Sequence, residues 1–139
     1  MPPARWLWAG ALALAAVSLA MPAVQGPGFP TQSGLDILRQ GASAWRDGIV
    51  AWYANPLLSA AAVIGWVGAG QRVPALAALA LALLGLLLAL SSFTAGAAAE
   101  SAGRRVPEFA FAFGFYVWLL AFVVGVLAGF LGLNRPRSI

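Results

Sequence analysis

The chain has 139 residues, 62% of them hydrophobic and 9% charged, with a mean hydropathy of +0.88. A soluble domain averages about 25% charged residues, and a chain this short hides only about two-thirds of its surface on folding, so the composition excludes a water-soluble domain and makes lipid the fitting solvent. The net charge of +4 comes from eight arginines against four acids, scattered between apolar blocks without a stripe, which argues against nucleic acid as a partner. Cysteine and histidine are both absent. That removes disulfides, thiol relays, zinc sites built on those ligands and histidine-held haem, so no metal and no cofactor is expected.

The first apolar block, about residues 6–24, follows Arg5 and is long enough to span a bilayer. Ser18-Leu19-Ala20 resembles a small-x-small signal cleavage site, but Met21-Pro22 follows directly, and a retained helix is the expectation. Gln25–Thr31 holds two glycines and two prolines and is expected to be a turn or extended surface segment. From 33 to 53 the apolar residues Leu35, Leu38, Ala42, Trp45, Ile49 and Trp52 recur at spacings of three and four. Asp36, Arg39, Ser43, Arg46 and Asp47 lie opposite them. That period predicts an amphipathic helix at the membrane interface, opened by a Ser33–Asp36 capping box and anchored by Trp45, Trp52 and Tyr53.

Asn55-Pro56 suits a helix start, and a second span is expected over about residues 50–69, short for a hydrocarbon core of about 30 Å. Gln71-Arg72 makes a polar turn before the uncharged block of about 74–93. Thr94–Glu108 is small and polar, and about residues 109–133 form a final apolar block. The expected fold is therefore all-α: a single integral-membrane domain of four helices, or of three spans plus a short or re-entrant one, with an interfacial amphipathic helix. The arginines divide equally between the two faces of such a bundle. All four acids fall on the face opposite the termini, which favours both termini in the cytoplasm of a bacterial inner membrane.

No ionisable residue falls inside an apolar block, where ion-coupled transporters and proton relays normally place one. Glu100 and Glu108 are better read as solvated loop charges than as an acid–base pair, and the chain is expected not to be an enzyme. Small residues four apart recur at Ala61, Gly65 and Ala69, at Ala110 and Gly114, and at Ala121, Gly125 and Gly129. Such spacing lets helix backbones approach closely, within this chain or against a partner subunit. The rings of Phe109, Phe111, Phe113, Phe115, Tyr116 and Trp118 suit an interfacial belt, with Tyr116 and Trp118 as membrane-interface residues, or a pocket for a pigment, quinone or lipid.

Two stretches, Trp52-Tyr53-Ala54-Asn55-Pro56 and Gly114-Phe115-Tyr116-Val117-Trp118, resemble the W-x-A-N-P and G-Y-Y-x-W patterns of uncharacterised small multi-pass bacterial membrane proteins. The resemblance implies a multi-pass membrane fold and no activity. The expected role is an accessory or scaffolding subunit packed against other membrane-protein subunits. The alternative is a homo-oligomeric channel, holin-like pore or small-molecule or lipid transporter.

Overall fold

The structure, a computed structural model, describes residues 3–47, 50–101, 103, 105 and 108–134. The apolar block that follows Arg5 winds, with Arg5 in its first turn, into α1 (Pro3–Ala20), which stops where Met21-Pro22 removes a backbone donor and disfavours helical dihedrals at the preceding residue. The chain then doubles back as an antiparallel hairpin of β1 (Pro22–Gly26) and β2 (Phe29–Ser33). A third strand, β3 (Ala110–Phe111), joins the other edge of β1, giving the order β2-β1-β3. Pro22 opens its strand and Pro30 lies on an edge strand, positions that tolerate the missing N–H.

The sheet corrects the all-α expectation. Gln25–Thr31 supplies the hairpin tip, and Phe109 to Phe113 alternates F-A-F-A-F, a period of two that belongs to a strand. The final helix, α6 (Phe113–Leu133), consequently starts four residues later than the apolar block does.

Ser33 caps α2 (Gly34–Gln40) reciprocally. Its backbone N–H donates to Asp36 Oδ2 at 3.0 Å and its hydroxyl accepts from the Asp36 N–H at 3.2 Å. The amphipathic helix expected over 33–53 does not continue as one rod. A tighter 3₁₀ stretch covers Gly41–Asp47, and a 3₁₀ turn at Ala51–Tyr53 runs directly into α3 (Ala54–Val67). The cause is a fold-back. Gly41 lies against the Trp52 ring with no room for a Cβ, and Trp52 Nε1 donates to the Leu38 carbonyl at 2.8 Å.

A turn at Gly68–Gln71, with Gly70 at φ +94°, leads into α4 (Arg72–Leu90). A 3₁₀ turn (Ser91–Thr94) and α5 (Ala95–Ser101) follow. Among the described residues, three helical stretches, Pro3–Ala20, Arg72–Ala97 and Phe113–Leu133, are long and apolar enough to cross a membrane. At 14 residues α3 is shorter, and it packs beside them.

The core is built by small residues receiving large ones. The Trp8 indole sits against Gly65 of α3 and Gly125 of α6, while Phe122 packs on Gly85 of α4. A Cβ on Gly129 would come within 2.9 Å of the Leu79 Cα. These pairings run α1 and α4 one way and α3 and α6 the other. Trp8, Leu58 and Phe122 are buried among alanines, whereas Leu83, Leu84, Leu87, Val123, Leu127 and Phe130 face outward. Among the described residues, one end of the helix set carries the Gly68–Gln71 turn and the outer ends of α1 and α6. The other carries the sheet, α2, the 3₁₀ segments and α5.

Candidate functional site: a chamber beneath the sheet

At the elaborated end the helices splay around a cavity of about 490 Å³. Ser18 and Leu19 close α1 on one side of it, and Asn55 opens α3 on another. Phe115 and Trp118 come from the first turns of α6, and Ser92 and Ala95 from the segment after α4. The sheet contributes Val24, Gln32 and Phe111, and α2 contributes Ile37 and Leu38. The volume falls in the range of about 300–1,000 Å³ typical of small-molecule sites.

Five aromatic side chains, Trp52, Phe109, Phe111, Phe115 and Trp118, line the wall. Phe111 and Phe115 stack with centroids 3.9 Å apart and planes at 17°. Phe93 meets both edge-on at 5.4 Å. Trp118 continues the cluster inward to Phe122, joining the chamber wall to the buried core. Edge-on and offset contacts of this kind fix ring positions beyond what burial alone supplies.

The polar groups divide into committed and uncommitted ones. Trp118 Nε1 donates to Asn55 Oδ1 at 2.8 Å, and Asn55 Nδ2 donates to the Trp52 carbonyl at 3.0 Å. The Ser18 hydroxyl donates to the Ala15 carbonyl at 2.7 Å. By contrast, the Ser92 hydroxyl, 9% exposed, and the half-buried Gln32 carboxamide have no hydrogen-bond partner among the described residues. No charged side chain contributes to the described wall. Asp36 lies outside it, and the Ser33 N–H and hydroxyl, with Arg39 adding a smaller attraction, hold its carboxyl below the usual carboxylate value.

Two stretches singled out in the sequence, Trp52–Pro56 and Gly114–Trp118, meet at this site. Asn55 of the first and Trp118 of the second, 63 positions apart, share the hydrogen bond that joins α3 to α6. Of the interface residues expected from sequence, Trp45 and Tyr116 are exposed. Trp52 and Trp118 turn inward to the chamber, and Tyr53, half-buried, donates its hydroxyl to the Ala42 carbonyl at 3.2 Å. Of the small residues, Ala61, Gly65, Gly114, Ala121, Gly125 and Gly129 are buried, Ala69 is partly buried and Ala110 is exposed. Ser92 and Gln32 were missed by sequence reasoning. Ser91-Ser92 marks the polar end of a span, and nothing local shows that one of the pair lines a cavity. Chain-wide comparison finds no matching family model, no similar curated protein and no similar solved structure.

Proposed function

We propose that this chain is a non-catalytic, multi-pass protein of a bacterial inner membrane that holds a small apolar molecule in the chamber beneath its sheet. The observation that carries this reading is the cavity itself, walled by aromatic and aliphatic side chains and set where splayed helix ends meet the cap. Of the roles the sequence allows, this one lies with the small-molecule or lipid transporters.

The accessory-subunit reading draws less support. Its small-residue stripes are largely occupied inside the chain, with Gly65 and Gly125 against Trp8 and Gly129 against Leu79. The surface left outside is leucine, valine and phenylalanine, which suits acyl chains. A pore needs a polar stripe, yet the Ser18, Ser59 and Ser91 hydroxyls donate to carbonyls of their own helical segments.

In this reading the short helix is the fourth crossing. Helix α3 rises about 21 Å and the preceding 3₁₀ turn adds about 6 Å, close to a hydrocarbon core of about 30 Å. The end bearing Arg5 and Arg72 faces the cytoplasm, and the cap faces outward.

Organic extraction of the protein purified in mild detergent, followed by mass spectrometry, tests the proposal. The wild-type chain is expected to carry an apolar molecule at near-stoichiometric yield. Ala95→Trp, which adds a large ring to the chamber wall, is expected to lose it while keeping its helical circular dichroism. Equal recovery from both proteins would overturn the assignment.

A further inference from the structure

Resting on the chamber-binding reading, the chemistry of the wall narrows the ligand to one class. We infer that the chamber accepts an uncharged, flat-ringed amphiphile with carbonyl acceptors on the ring, that is, a quinone-type head group, oriented by the Ser92 hydroxyl and the Gln32 carboxamide.

Four observations converge. First, the wall offers planes: the stacked Phe111–Phe115 pair, with Trp52 and Trp118 beyond it. Aromatic faces favour a flat ring by offset or edge-on contact, a preference that a saturated chain does not exploit. Second, no charged side chain reaches the described wall, so a phosphate or carboxylate entering it would lose its hydration without gaining a counter-ion. The described wall therefore disfavours an anionic phospholipid head or a fatty acid as the occupant.

Third, the donors are selective. Both indole N–H groups at the site are already committed, Trp52 to the Leu38 carbonyl and Trp118 to Asn55, each at 2.8 Å. What remains is the buried Ser92 hydroxyl and the Gln32 amide, donors able to meet carbonyl oxygens on a ring. A buried hydroxyl left without a partner is costly, and a ligand acceptor supplies one. Fourth, about 490 Å³ holds a ring and the start of a tail, with the remainder left to the bilayer.

The test uses the full chain in phosphatidylcholine nanodiscs and follows thermal unfolding with three added probes: decylubiquinone, dioctanoylglycerol and decanoate. At a given free concentration, a ligand that binds the folded state raises the midpoint more the more tightly it binds. Decylubiquinone is expected to raise it most and decanoate not at all. Ser92→Ala and Gln32→Leu are each expected to weaken decylubiquinone binding by about tenfold, the size of one lost hydrogen bond.

Dioctanoylglycerol binding as tightly as the quinone would overturn the flat-ring assignment while leaving a lipid chamber. Unchanged quinone affinity in both variants would overturn the orienting roles of Ser92 and Gln32. Absence of any shift with all three probes, together with equal recovery of apolar molecules from wild type and Ala95→Trp, would remove the chamber reading itself. Should either polar variant fail to fold, Ser92→Cys, nearly isosteric with a weaker donor, keeps the comparison available.

Discussion

Trp8 shows how single residues set this core. Its indole is 1% exposed and fits against Gly65 and Gly125, where a Cβ on either glycine would press into the ring. Alanine in place of a helical glycine ordinarily gains about 1 kcal/mol, but overpacking costs about 1–3 kcal/mol, so the clash wins at position 65. Gly65→Ala is expected to lower the unfolding midpoint in detergent. Gly10→Ala, on the same helix as Trp8 but with nothing within 4 Å of a new Cβ, is expected to raise it. Equal shifts at both sites would contradict the packing.

The Asn55–Trp118 bond gives a second test at this scale. Asn55→Leu is expected to cost about 1–3 kcal/mol by leaving the indole N–H unmet. A double-mutant cycle with Trp118→Phe should show coupling of at least about 0.5 kcal/mol, and strict additivity would remove the bond from the account. The residues of this pair stand out in the sequence, Asn55 as a helix opener and Trp118 among a run of rings. Their meeting does not, because no local pattern links positions 63 apart.

Among the elements, those with helical period and no charge were legible and those built on turns were less so. Helices α1, α4 and α6 follow from uncharged blocks bounded by Pro22, by Gln71-Arg72 and by Asn134. The sheet did not follow, although its signal was present: F-A-F-A-F alternates with a strand period before the helix begins. The segment after Ser33 was legible at its start and not beyond. The Ser33–Asp36 cap forms as its spacing suggests, but Gly41 lets the chain tighten and return to Trp52, a tertiary contact that periodicity does not report.

The cap carries a pH dependence whose sign follows from Asp36. Its folded pKa lies below the ordinary value of 3.8, so the ionised cap stabilises α2 above the ordinary carboxylate range. That stabilisation is lost as pH falls through the lowered folded value. Near-UV circular dichroism, which senses Trp52 on the Leu38 carbonyl, should therefore stay constant down to about pH 4 and decline below it. Asp36→Asn should flatten that decline, and identical acid profiles in the two proteins would contradict the role of the cap.

On the scale of the whole molecule, the asymmetry between the two ends organises everything else. Four helices alternate in direction, their large outward side chains are apolar, and the chain's extra structure gathers at one end around the chamber. The overall helical, lipid-suited character was legible from composition, since a chain with 9% charged residues has too few to cover its surface in water. The chamber was not, because its wall draws residues from nearly every element and exists only once they converge.

The direct test of this arrangement is single-cysteine labelling, for which a chain without native cysteine needs no background removal. Cysteines placed at exposed Gln25 and Ser101 on the capped end, and at exposed Gln71 and Asn134 on the plain end, would be treated with a membrane-impermeant maleimide in sealed vesicles of one orientation. The arrangement places positions 25 and 101 on one side, where they are expected to label together, and positions 71 and 134 on the other. Labelling of 25 and 71 from the same side would contradict it, since α3 would then fail to cross and the chamber would not lie at a membrane face.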